Sequence, residues 1–77
     1  MPRLPQLTSK KLLKILKKYG FQVDHITGSH FILYEPKTKK RAVIAFHTRN
    51  LPKGTLMSIL NEAGINRREF LELLKSD

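Results

Sequence analysis

Three histidines, His25, His30 and His47, are the side chains of this sequence best suited to moving protons near neutral pH, because an unperturbed imidazole titrates at about 6.5. They stand in a chain where 15 Lys and Arg outnumber 6 Asp and Glu, for a net charge of +9. One reaction that imidazole and excess cation together suit is the cleavage of RNA. RNA carries its own nucleophile, the 2′-hydroxyl beside each phosphodiester. The protein has only to accept that hydroxyl's proton, stabilise the extra phosphate charge and let the 5′-oxygen leave. Histidine serves the proton transfer and Lys or Arg the charge.

Such a mechanism calls for no metal and no cofactor. The alternative nuclease strategy holds two metal ions with clustered carboxylates. Here only Asp24 and Glu35 lie outside the C-terminal third, and a pair without further ligands makes a poor magnesium site. There is no cysteine, which excludes a thiolate zinc site, a cysteine nucleophile and a disulfide framework.

The three histidines differ in setting. His30 follows Gly28-Ser29 and so opens a strand directly after a turn, where a ligand can approach the backbone. His47 ends a later strand beside Thr48, Arg49 and Asn50. His25 sits next to Asp24. A histidine at a strand end is otherwise an ordinary surface residue, and composition alone does not choose among the three.

The cations are segregated. Residues 1–53 carry twelve Lys and Arg against two acids, whereas residues 54–77 carry three against four. One electropositive face is expected, as for a protein that binds a polyanion. Lys37, Lys39, Lys40 and Arg41 form the densest run. An isolated charge run is also what a merely solvated loop looks like, and the same holds for Lys10, Lys14 and Lys17 on a helix. A membrane partner is not expected. No stretch reaches the roughly 18 apolar residues of a span, and the basic residues are not gathered on one long amphipathic helix. The first nine residues lack the apolar core of a secretory signal, so a cytoplasmic location is expected.

Seventy-seven residues suit a single domain, 1–77, with a small core whose stability a partner could raise. Thr8 or Ser9 can cap a first helix with Leu12, Ile15, Leu16 and Tyr19 at i, i+3, i+4 and i+7. Gly20 ends it. Phe21 to Thr27, His30 to Glu35 and Ala42 to His47 read as three strands with short links, an antiparallel meander. In the second strand Phe31 and Leu33 share the core face, and His30, Ile32 and Tyr34 the other. Tyr34 could stack a base there or cover a core edge. Pro52 suits the first turn of a second helix, buried through Leu56, Ile59, Leu60 and Ala63 and stopped by Gly64. Asn66 and Glu69 form a capping-box pair ahead of a third, short helix bearing Phe70, Leu71, Leu73 and Leu74. The expected fold class is α+β, α-β-β-β-α with a short extra C-terminal helix, and with the helices on one face of a three-stranded antiparallel sheet.

Gly54 and Thr55 fall in the first turn of the second helix with Lys53 beside them. Free backbone N–H groups and the positive dipole end favour a phosphate there. Equally, Gly54 could serve close packing and Thr55 act as a cap.

Gly28-Ser29-His30, then His47, then Leu51-Pro52-Lys53-Gly54-Thr55-Leu56-Met57-Ser58-Ile59-Leu60-Asn61-Glu62-Ala63-Gly64-Ile65 together resemble the HicA toxin family. Ser9 through Leu16 and Tyr19-Gly20-Phe21 match the family's first helix and strand, so the likeness runs over about residues 8–65. The resemblance implies a fold like that of double-stranded-RNA-binding domains and ribosome-independent cleavage of mRNA. It implies His30 as the catalytic residue and a HicB-like antitoxin as partner in a hetero-oligomer. RNA contacts would come from Lys37, Lys39, Lys40, Arg41, Lys53, Gly54 and Thr55, with Ser29 and His47 as auxiliary groups. Residues 66–77 are less typical and would be a stabilising or partner-binding addition, with Phe70 and Leu74 as contact area.

Two other functions compete. A non-catalytic double-stranded-RNA-binding module of the same fold needs the cations but no titrating group, so His30 discriminates it. A DNA-binding reading takes the last two helices as a helix-turn-helix. Glu69 and Glu72 beside Arg67 and Arg68 make that a poor surface for a phosphate-lined groove.

Overall fold

A computed structural model of the chain describes residues 6–46 and 49–75. Helix α1 (Ser9–Tyr19) is followed by strands β1 (Gln22–Thr27), β2 (His30–Glu35) and β3 (Lys40–Ala45), then helices α2 (Lys53–Ala63) and α3 (Arg67–Lys75). The sheet is antiparallel throughout, in the order β1-β2-β3. This is the α-β-β-β-α-α arrangement expected of a fold like that of double-stranded-RNA-binding domains.

Thr8, rather than Ser9, caps α1 by accepting from the Lys11 N–H at 3.2 Å, while Ser9 is buried in the first turn. Leu12, Ile15 and Leu16 carry the helix's apolar stripe into the core, against Leu33, Ala42 and Ile44 of the sheet and Leu56, Ile59 and Leu60 of α2. Leu33 pairs with Ala42 and Phe31 with Ile44 across β2 and β3. Side chains directly opposite in a ladder share a face, so these are the helix-covered side. The open side carries the pairs His30–Ala45, Ile32–Val43 and Tyr34–Arg41.

Two turns set the strand register. β1 and β2 are joined by the two residues Gly28 and Ser29, with Thr27 opposite His30. Gly28 has φ +56°, the left-handed value that a type II′ hairpin places on its first loop residue. At the other end of β2, Glu35 is buried and its carboxylate accepts from the Lys37 N–H at 2.6 Å. The Glu35 carbonyl accepts from the Lys39 N–H at 2.7 Å. The cationic loop is therefore tied at its base, and Lys39 takes the left-handed conformation with φ +60°.

Pro52 stands one position earlier than expected. It is the N-cap residue of α2, which begins at Lys53. Asn66 and Glu69 do form the reciprocal capping box, with N–H to side-chain oxygen distances of 2.8 and 3.1 Å. Phe70, offered by sequence as partner contact area, is fully buried with 0% exposure and joins the main core. Only Leu74, half-buried at the edge of that core, retains accessible area.

Candidate active site

His30 is the first residue of β2 and exposed on the sheet's open side. Its register partner is Ala45 of β3, and β3 is the strand against which α2 packs. Together they border an open cavity of about 640 Å³, walled by His30, Val43 and Ala45 from the sheet and by Pro52, Gly54, Thr55, Ser58, Ile59 and Glu62 from α2 and its cap. His30 and Gly54 are far apart in sequence, and the fold sets them around one cavity.

The start of α2 is held from a distance. Leu51 donates its N–H to the Leu7 carbonyl at 2.6 Å, Thr8 and Asn50 form an antiparallel bridge, and the Asn50 side chain donates to Gln6 at 3.1 Å. Leu7 and Leu51 are both buried. The segment before α1 thus anchors the segment before α2, which fixes where the first turn of α2 points.

The N-cap residue of α2, Pro52, makes no side-chain hydrogen bond to that turn. The first N–H groups of an α-helix have no intrahelical partner, and here they stay available at the cavity wall. Of the two roles open to Gly54, close packing is excluded: a Cβ built on it meets nothing within 4 Å. Thr55 likewise makes no side-chain hydrogen bond among the described residues.

A family model described as "HicA toxin of bacterial toxin-antitoxin" matches residues 9–65. The chain belongs to the HicA toxin family. No match to a curated protein was found. The matched span runs from the first residue of α1 to just past the α2 C-cap, so it includes His30 and the whole cavity wall. Membership makes the chain the toxin of a toxin–antitoxin system, with an antitoxin as its counterpart. Helix α3 lies outside the matched span, yet its Phe70 completes the core of this HicA chain.

The remaining candidate residues of this HicA are scattered. Lys53 is exposed at the first position of α2 but does not wall the cavity. Ser29 lies in the β1–β2 turn, where its carbonyl accepts from the Phe46 N–H at 2.7 Å, and it too is outside the cavity. His47 lies outside the described residues. Lys37, Lys39, Lys40 and Arg41 are exposed at the opposite end of the β2–β3 hairpin. The steps from His30 to Glu35 span roughly 17 Å at the usual strand rise, so these cations do not surround the histidine. Arg41 lies over the Tyr34 ring, 4.9 Å from its centroid, which occupies one face of the ring proposed for base stacking. Arg41 also approaches Asp24, at 3.9 Å, and the same Asp24 oxygen is 2.8 Å from Nδ1 of His25. His25 is thereby engaged at the hairpin's middle, away from the cavity.

Ser58 and Glu62 escaped notice in the sequence. With Thr55 and Ile59 they follow i, i+3, i+4 and i+7 along α2, a helical stripe beside the buried one. Ile59 belongs to both, and that overlap hid the polar stripe behind the core pattern. No helix among the described residues is long and apolar enough to cross a membrane, and no three His, Asp or Glu side chains among them gather as metal ligands.

Proposed function

We propose that this HicA toxin is a metal-independent endoribonuclease that cuts mRNA with His30 as the catalytic residue, held inactive by a HicB-like antitoxin. The observation that carries the proposal is the placement of His30 across one cavity from the uncapped first turn of α2. A phosphate seated on the N–H groups of Gly54 and Thr55 would be neutralised by the helix dipole and by Lys53. The adjoining 2′-hydroxyl would then lie toward His30. His30 takes its proton as the 2′-oxygen bonds to phosphorus. The P–O5′ bond breaks, and the 5′-oxygen is protonated from water. The products are a 2′,3′-cyclic phosphate and a 5′-hydroxyl. DNA lacks the nucleophile and is not cut.

The hairpin cations, Lys37 to Arg41, supply long-range attraction and grip the strand beyond the cut. An antitoxin that blocks the reaction must cover His30 or these cations, and acidic groups would suit that surface. The test is cleavage of an mRNA in excess chelator by wild type and by His30→Ala and His30→Gln. The expected loss is roughly 10²–10⁴-fold, as for removal of a general acid or base, with little change in RNA affinity. Undiminished cutting by His30→Ala, or wild-type activity that vanishes with chelator, overturns the proposal. A wild type that binds RNA but cuts none would favour the non-catalytic module.

A further inference from the structure

The cavity wall carries an acid that phosphate binding does not explain. Glu62 is the one carboxylate residue lining it, and it has no hydrogen bond or ion pair among the described residues. Elsewhere, Asp24 is paired with His25 and Arg41, Glu35 is buried under a turn and Glu69 closes a capping box. Glu62 is exposed, so water solvates its charge in the free protein, and a ligand that displaces that water must supply a hydrogen-bond contact in its place.

Its position supplies one. Glu62 lies two helical turns beyond Thr55, about 10.5 Å along α2 at the usual helical rise. That is about one Debye length at moderate ionic strength, so its charge does not cancel the attraction at the first turn. Ile59 lies between those two ends along the helix, and Val43 and Ala45 border the same cavity from β3, so its middle is apolar. The cavity therefore has donors at one end, an apolar surface in the middle and an acceptor at the other end. Phosphate, base plane and base edge occur in that order along one nucleotide.

We infer that Glu62 is a specificity-determining residue that reads the Watson–Crick edge of an unpaired guanine. This rests on the ribonuclease reading above, and it adds the base preference. An ionised carboxylate only accepts hydrogen bonds, through two oxygens side by side. Guanine presents two adjacent donors, N1–H and the 2-amino group. Adenine and cytosine each set a ring-nitrogen acceptor beside a single amino group, and uracil sets two carbonyls around a single N–H. Those acceptors would face the carboxylate, and guanine alone avoids that. Ser58, one turn nearer the phosphate end, has no hydrogen bond among the described residues, and its hydroxyl can donate toward guanine O6. The edge must be unpaired to be read, so the target is single-stranded. The guanosine's own 3′-phosphate is the one attacked, and cleavage falls on its 3′ side.

Two measurements test this, with wild type, Glu62→Gln and Glu62→Ala, all checked for folding by circular dichroism. In the first, 3′-GMP, 3′-AMP, 3′-CMP and 3′-UMP are titrated separately into the protein. Wild type should bind 3′-GMP about tenfold or more tighter than the rest, the discrimination of a bidentate contact, and both variants should lose that preference. In the second, a random-sequence RNA is cut and its new ends are sequenced. Cleavage after G should dominate for wild type, and the ratio of G to the other bases should fall about tenfold or more in the variants. Equal binding of all four nucleotides, no binding of any, or a uniform loss of cleavage at every base in Glu62→Gln overturns the assignment. Selective 3′-GMP binding by a wild type that cuts no RNA would sink the ribonuclease reading and leave Glu62 as a guanine contact.

Discussion

The hydroxyl of Tyr19, at the end of α1, donates to a carboxylate oxygen of Glu69 in α3 at 3.2 Å, across fifty residues of sequence. Glu69 also completes the capping box with Asn66, so one carboxylate starts α3 and fastens it to α1. Burial raises the Tyr19 hydroxyl above its ordinary 10.0, and the charge of Glu69, the hydrogen bond to it and the charge of Glu35 push the same way.

That shift has a sign in stability. The unfolded tyrosine ionises at its ordinary value while the folded one stays protonated. Its contribution is therefore complete below that value and is lost as pH climbs through the higher folded value. Tyr19→Phe removes the titrating group. The stability gap between wild type and Tyr19→Phe should narrow as denaturation is measured at rising alkaline pH, and a gap constant across that range would contradict the linkage.

Phe70 gives the second prediction. It is fully buried in the main core although it lies beyond the family-matched residues. Phe70→Ala should cost about 3–5 kcal/mol in chemical denaturation, a large share of what so small a chain has to spare. Leu74→Ala, only half-buried, should cost clearly less.

Gly54 separates stability from function. Its φ is not in the left-handed range, and an added Cβ meets open space. Gly54→Ala should leave the fold as stable or improve it by up to about 1 kcal/mol, the helix-propensity difference. The new methyl would stand where a phosphate must approach the backbone, so RNA cleavage should weaken. Full activity in a stabilised Gly54→Ala variant would remove the first turn of α2 from the site.

The hairpin cations should act on binding and not on the chemical step. Charge reversal of Lys39, Lys40 and Arg41 together should raise KM for RNA at every sequence with a much smaller change in kcat, because even the nearest of them, Arg41, pairs with Tyr34 roughly 13 Å along the strand from His30. On a single strand, the slope of log affinity against log salt should become shallower by about 0.7 for each phosphate the variant no longer neutralises. An unchanged slope would show that these three cations do not touch RNA.

The local elements could be read from the chain because each has a local cause. The stripe at Leu12, Ile15 and Leu16, the capping box at Asn66 and Glu69, and the stops at Gly20 and Gly64 depend on neighbours within a few residues. The same holds for the alternation that puts His30 on the face opposite Leu33. The resemblance carried by Gly28-Ser29-His30 and the Lys53-to-Ile65 run pointed to the family, and the family model agrees. What the chain alone could not tell is which of its polar residues meet. The cavity exists because Leu7 and Leu51 bury together and carry the start of α2 to the end of the sheet where β2 begins. That same packing joins Ser58 and Glu62 to His30 and leaves Lys37 to Arg41 at the far end of the hairpin. It also turns Phe70 inward from a surface where sequence had left it free. Helix and strand periodicity depends on spacing of a few residues, whereas a site is assembled by contacts between segments tens of residues apart. Only the closing of the core decides which faces those contacts bring together.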